Sequence, residues 1–210
     1  MANIQTTIID YKMGNLFSLK CALDFLGFKN KISNNVRDIK NSQVIFIPGV
    51  GAFKQAMENL KKLKIYDYIL EHNFYEKDIV GICLGMQILF KEGVEGQRTK
   101  GLGFLNGTVN KIRSKNERLL NVGWSELKIK KKNIFNKINK RKKFYFIHSY
   151  AAIPEDKKII SSFSDFQGKK FCASIEKKNI YGFQFHPEKS SLQGIQLLKN
   201  LKESIYEKYI

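Results

Sequence analysis

Cys83 lies in the run Ile79-Val80-Gly81-Ile82-Cys83-Leu84-Gly85-Met86-Gln87. An apolar strand that runs into Gly-x-Cys-x-Gly and then into a helix is the sequence form of a nucleophile elbow, with cysteine in the place of serine. Such a turn needs small residues on both sides. The sulfur must stand exposed at a sharp, strained corner, and Gly81 and Gly85 let neighbouring backbone pass close by. A helix beginning there aims its amide groups at the sulfur, which favours the thiolate. The plainer reading of the same run is a buried, inert cysteine in a strand–helix corner.

A thiolate nucleophile needs a general base, and histidine is the usual one. The chain has three histidines. His72, in the polar stretch Glu71-His72-Asn73, reads as helix surface and is assigned no role. His148 follows the apolar run at 144–147. His186 ends the run at 181–185 and is followed by Pro187-Glu188. Proline cannot continue a central strand, so His186 is placed at a strand terminus, where the active sites of parallel sheets lie. Glu188 can curl back to the second imidazole nitrogen and orient the ring. A histidine capping a strand beside a surface glutamate is the alternative. A third piece, Pro48-Gly49-Val50-Gly51-Ala52, joins an apolar run to a helix. Its glycines free backbone N–H groups to face a developing negative charge, as acyl transfer requires; alone it is equally a tight connection.

The elements that must hold these pieces can be read from periodicity. Residues 4–9, 44–47 and 79–82 are short apolar runs. Leu16, Leu19, Leu23 and Leu26 recur at helical spacing, with Asn15 as N-cap and Gly27 as stop. Phe53, Ala56, Met57 and Leu60 form one helical stripe, and Met86, Leu89 and Phe90 are placed on the helix after the elbow. Apolar strands separated by amphipathic helices indicate a parallel sheet covered on both faces. Between Gly101 and Phe185 the runs at 108–112, 127–129, 144–147, 171–175 and 180–185 read as antiparallel strands. From Ser190 a last helix turns Leu192, Ile195, Leu198 and Ile205 inward. The expected class is α/β, one domain over 1–210, with a mixed, mainly parallel sheet covered by helices and an antiparallel β-rich second half.

Composition excludes several classes. Three cysteines, Cys21, Cys83 and Cys172, cannot all pair and have no zinc spacing. No signal peptide or bilayer-spanning apolar stretch is visible, so a cytoplasmic protein is expected. The 210 residues carry 37 Lys plus Arg against 19 Asp plus Glu, a net +18. Only five of those bases are Arg, the residue that base readout and phosphate clamps favour, so no nucleic-acid partner is expected. Residues 128–143 hold nine basic residues and no acid. That run reads as a solvated strand end and loop, or more sharply as a patch for polyanions or an acidic partner.

In combination, Pro48-Gly49-Val50-Gly51, Gly81-Ile82-Cys83-Leu84-Gly85-Met86-Gln87 and Phe185-His186-Pro187-Glu188 resemble the class I, triad-type glutamine amidotransferases, whose fold is flavodoxin-like. Within that superfamily the chain is similar to the glutaminase subunits of imidazole glycerol phosphate synthase, of histidine biosynthesis. Asp10-Tyr11-x-x-Gly14-Asn15-Leu16, Gly101-Leu102-Gly103, Val122-Gly123-Trp124 and the run 144–150 carry the finer likeness, which covers essentially the whole chain. The resemblance implies that Cys83 attacks glutamine, His186 moves the proton and Glu188 orients it. Backbone N–H groups of Leu84, Val50 and Gly51 would form the oxyanion hole. Gly49, Gly51, Gln87, Glu95, His148, Ser149 and Tyr150 would line the glutamine pocket. Asn15, Trp124, Tyr145 and Lys189 would face a (β/α)8 barrel synthase that receives the ammonia, and no metal or organic cofactor is implied. Ser125, where the pattern has Asn, and Ala151-Ala152 depart from the family. Three other readings remain: the same half-reaction feeding another synthase, such as one amidating a sugar or sugar nucleotide; a degenerate scaffold subunit; and an RNA-binding protein built on the basic run.

Overall fold

Apolar strands and one-sided helices alternate through the first half of the computed structural model, which describes residues 4–71, 76–112, 120–138 and 143–209. β1 (Gln5–Ile9) leads into α1 (Leu16–Phe25), where the Asn15 side chain accepts the Ser18 N–H at 3.2 Å. Gly27, at φ +69°, turns the chain out of that helix. β2 (Lys29–Ser33) and α2 (Val36–Asn41) follow. β3 (Val44–Gly49) is buried along its whole length, and α3 (Phe53–Lys62) turns Phe53, Ala56, Met57 and Leu60 inward. After α4 (Ile65–Glu71), β4 (Asp78–Cys83) ends at the elbow and α5 (Leu84–Ile88) begins on the next residue.

The second half is β-rich, as expected. It contains β5 (Phe90–Gly93), β6 (Thr99–Lys100), β7 (Leu105–Lys111), β8 (Asn121–Glu126), β9 (Lys128–Ile129), β10 (Lys143–His148) and β11 (Tyr150–Pro154). β12 (Ile160–Phe166), β13 (Lys169–Lys177) and β14 (Ile180–Phe183) then lead to α6 (Ser191–Tyr206). The central sheet runs β2-β1-β3-β4-β14-β13-β12-β9. Its first five strands are parallel and the last three antiparallel, so the sheet is mixed. From β1 the chain goes to one side for β2 and to the other for β3, a topological switch point of the kind beside which α/β sheets bind ligands. A four-stranded sheet, β11-β7-β5-β6, and a two-stranded antiparallel sheet, β10-β8, stand beside the main sheet.

Three expectations need correction. The runs at 108–112 and 180–185 are not purely antiparallel: β7 pairs antiparallel with β11 but parallel with β5, and β14, which ends at Phe183, pairs antiparallel with β13 but parallel with β4. Phe90 is not on the elbow helix: α5 stops at Ile88, and Phe90 pairs with Leu105 in a strand. Leu192 does not face inward; it is 79 % exposed, and Ile195 is only half-buried. The cause is Gly194. A Cβ there would lie 1.8 Å from the Pro187 carbonyl oxygen, so this residue sets which face of α6 meets the protein. Leu192, two residues back at about 100° per residue, must point away. The buried stripe is Leu197, Leu198, Leu201 and Ile205.

The basic run is less detached than a solvated loop. Lys128, Lys130, Lys132, Lys137 and Lys143 are exposed, yet Ile134, Phe135 and Ile138 are buried and anchor it. His72 and residues 139–142 of that run lie outside the described residues. At the other end of the sheet the Asp78 carboxylate accepts Lys208 Nζ and, at 2.9 Å, Tyr209 Oη, tying the C-terminus to the start of β4. No helix among the described residues is long and apolar enough to cross a membrane.

Candidate active site

Three parallel strands bring the expected pieces together. β4 lies between β3 and β14, with Gly49 opposite Cys83 and Phe183 opposite Ile82. The Pro48–Gly51 segment therefore falls on one side of the sulfur and the approach to His186 on the other.

Cys83 has φ +53° and ψ −110°, a conformation that costs a non-glycine residue roughly 1–3 kcal/mol and is tolerated where surrounding structure enforces it. Here the enforcement comes from flanking glycines. A Cβ on Gly85 would sit 1.6 Å from the Ile47 carbonyl oxygen, and one on Gly81 would meet Met86 N and Cα at 2.7 Å. Gly85→Ala is expected to cost on the order of 3 kcal/mol or more, because the obstruction is strand backbone. Urea denaturation checks this, and a midpoint close to wild type would contradict the enforced corner.

β14 ends at Phe183, and the chain continues to His186, whose N–H donates to the Tyr145 carbonyl at 2.9 Å. Pro187 then opens a single 3-10 turn, Pro187–Lys189. That turn brings Glu188 back beneath the ring: Nδ1–H donates to Glu188 Oε1 at 2.8 Å, with both side chains about 4 % exposed. Nε2 is buried and makes no hydrogen bond within ordinary limits. Burial opposes charge on His186, but Cys83 and then Glu188 outweigh it and push the pKa up to about 10. The arrangement thus favours the imidazolium, the state reached when a proton has moved from sulfur to ring.

A cavity of about 360 Å³ opens over the sulfur. Val50, Gly51, Cys83, Leu84, Gln87, Glu95, His148, Ser149 and Tyr150, all expected there, line it together with Ala52, Leu120 and Ile147. Gly49 does not line it. Its Cα instead packs against Gly14, and a Cβ on Gly49 would meet Tyr11 Oη at 2.1 Å. His186 and Glu188 are not in the wall; His186 reaches the cavity only through the Cys83 side chain, with which it interacts. Glu95 Oε2 accepts the Phe53 N–H at 2.8 Å, supplying the cap that Ala52 cannot give α3.

His148 is part of the wall, but both ring nitrogens are committed. Nδ1 donates to the Tyr150 carbonyl at 2.8 Å, and Nε2 accepts from Asn121 Nδ2 at 3.1 Å. Burial, against Phe146 and Phe171, holds its pKa down at about 4. The native ring stays neutral where an unfolded chain would take up a proton, below about pH 6.5. Its contribution is intact above that pH and is lost as pH falls toward 4, about 2 kcal/mol by pH 5. His186, with a raised pKa, works in the opposite direction over the same range. Comparing urea midpoints of wild type and His148→Gln at pH 7.5 and 5.0 isolates the effect. Wild type should lose more on acidification, and parallel losses would contradict it.

The four residues expected to face a partner surround one turn. Trp124 and Tyr145 are opposite residues of the antiparallel β8–β10 pair, ring centroids 5.9 Å apart, and Trp124 is half exposed. Lys189 is exposed on the 3-10 turn, and Asn15 is exposed at the start of α1, which packs against that turn.

Sequence reasoning missed two groups. Gln184, fully buried, directs its Nε2 to Cys83 Sγ at 3.7 Å. A lone amide between Phe183 and Phe185 in an otherwise apolar run was the available signal. Tyr11 is also fully buried, its hydroxyl has no partner, and burial with nearby Cys83 pushes its pKa up. It belongs to the Asp10-Tyr11-x-x-Gly14-Asn15-Leu16 motif, but nothing in that spacing placed its hydroxyl near the sulfur.

Residues 7–203 match the family described as glutamine amidotransferase class-I. The chain is 40 % identical over 201 residues to the imidazole glycerol phosphate synthase subunit HisH of Aquifex aeolicus (strain VF5), covering 95 % of this chain and 96 % of that one. It is 41 % identical over 196 residues to the corresponding subunit HisH 1 of Campylobacter jejuni subsp. jejuni serotype O:23/36 (strain 81-176), covering 92 % and 96 %. Among solved structures, PurLQS from Thermotoga maritima superposes with TM-score 0.73 at 21 % identity, over 99 % of both chains, a likeness of fold. The chain belongs to the class I glutamine amidotransferases and, within them, to the HisH subunits of imidazole glycerol phosphate synthase.

Proposed function

We propose that this chain is the glutaminase subunit of an imidazole glycerol phosphate synthase, hydrolysing glutamine through Cys83, His186 and Glu188. The observation that carries the reading is a sulfur lining a cavity and interacting with a carboxylate-oriented imidazole. Cys83 gives its proton to His186 Nε2, and the thiolate attacks the side-chain amide carbon of glutamine. Charge developing on the oxygen faces backbone N–H groups of Leu84 and the Val50–Gly51 segment. His186 returns the proton to the nitrogen, the C–N bond breaks, and ammonia leaves a γ-glutamyl thioester. Water, deprotonated by the same ring, then releases glutamate. Gln87 Oε1, Ser149 and Tyr150 are the polar groups placed to hold the amino acid.

Ammonia passes to a (β/α)8 barrel subunit, which makes imidazole glycerol phosphate and aminoimidazole carboxamide ribotide. Support for a docking face comes from exposed Phe17, Trp124 and Leu192, which belong to elements grouped about the Lys189 turn. A free thiol nucleophile suits the reducing cytoplasm. Glutamine hydrolysis should be slow for the chain alone and rise several-fold or more with the barrel and its ribotide. A rate indifferent to that barrel, but raised by another synthase, would reassign the acceptor.

A further inference from the structure

Gln184 sits one residue beyond the end of β14, with its N–H on the Ala173 carbonyl at 2.9 Å and no exposed surface. The direction of its amide is fixed by a chain of bonds. The Tyr150 carbonyl can only accept, so the Gln87 group 2.9 Å from it must be the NH2. The second hydrogen of that NH2 goes to Gln184 at 3.0 Å, which must therefore present Oε1. The NH2 of Gln184 is left pointing at Cys83 Sγ, 3.7 Å away. On another side of the sulfur, also at 3.7 Å, is the Ile147 carbonyl, an acceptor for the S–H. The two neighbours prefer opposite states: the carbonyl suits the thiol, and the amide N–H suits the thiolate.

We propose that Gln184 is a second stabiliser of the Cys83 nucleophile, its side-chain amide donating to the sulfur once His186 has taken the proton. This deepens the glutaminase reading and rests on Cys83 being the nucleophile. Through Gln87 and Tyr150, both in the cavity wall, the donor is locked to the pocket that holds the amino acid. Loosening that wall frees the amide to turn away, so the strength of the nucleophile depends on an ordered pocket.

The test is the pH dependence of Cys83 alkylation by iodoacetamide in the whole chain, read by peptide mass. A Cys21→Ser background removes the exposed thiol, and burial of Cys172 pushes its pKa up to about 12, which keeps it silent. Gln184→Met, close in size, should move the alkylation midpoint about one pH unit upward. Glutamine kcat/KM at pH 7 should fall about tenfold, in line with the smaller thiolate fraction. If that variant does not fold, Gln184→Leu, which likewise lacks a donor and brings no charge, carries the same test with the same expected movement. A midpoint unchanged in the folded variant overturns the proposal, even where wild type hydrolyses glutamine. Wild type that hydrolyses no glutamine with or without the barrel would instead defeat the glutaminase reading.

Discussion

Cys83→Ala is expected to abolish glutamine-dependent turnover, by a factor on the order of 10⁴ or more, while the barrel partner still works with added ammonia. The size of the loss follows from chemistry that has no substitute. Among the groups lining the cavity, only Cys83 offers a nucleophile next to an oriented imidazole. Alanine is smaller than cysteine and keeps the elbow's glycines untouched, so the fold and the partner face should persist. Glutamate release and synthase turnover, measured with glutamine and then with ammonium salt, separate the two halves. Glutamine hydrolysis surviving in this variant would show that the nucleophile is another residue.

Glu188→Gln should lower kcat/KM for glutamine on the order of 10³-fold with little change in the fold. The amide has the carboxylate's shape and can still accept from Nδ1, but it cannot stabilise a charged ring. Loss of that charge removes one of the two influences that raise the His186 pKa. A raised histidine pKa adds stability that is fully present below the unfolded value near 6.5 and is lost as pH rises through the folded value. The gap in urea midpoint between wild type and Glu188→Gln should therefore be widest near pH 6 and close toward pH 10. A variant with wild-type kcat, or a gap that widens with pH, would mean that the Glu188 charge contributes nothing to His186.

The elbow and the His-Pro-Glu turn were legible because each rests on local sterics. Gly81 and Gly85 mark where backbone must pass, and Pro187 marks where a strand must stop. Burial and period located β1, β3, β4, α1 and α3 for the same reason. The errors arose where tertiary contacts decide. Phe90 has helical spacing from Met86, but strand pairing with Leu105 claims its backbone. Leu192 has the right residue type for a core stripe, yet the contact of Gly194 with Pro187 rotates it outward. β2, Lys-Asn-Lys-Ile-Ser, is an edge strand with no apolar signature. Gln184 and Tyr11 acquire meaning only from neighbours distant in sequence, and no spacing rule reports those.

The most direct test of the account is to trap the acyl-enzyme. The chain, bound to its barrel and turning over glutamine, is quenched in acid, digested and weighed. One glutamyl group is expected on the peptide carrying Cys83, lost on treatment with hydroxylamine and absent from Cys83→Ala. A glutamyl group on any other residue would contradict it, as would hydrolysis that proceeds at full rate after Cys83 has been alkylated.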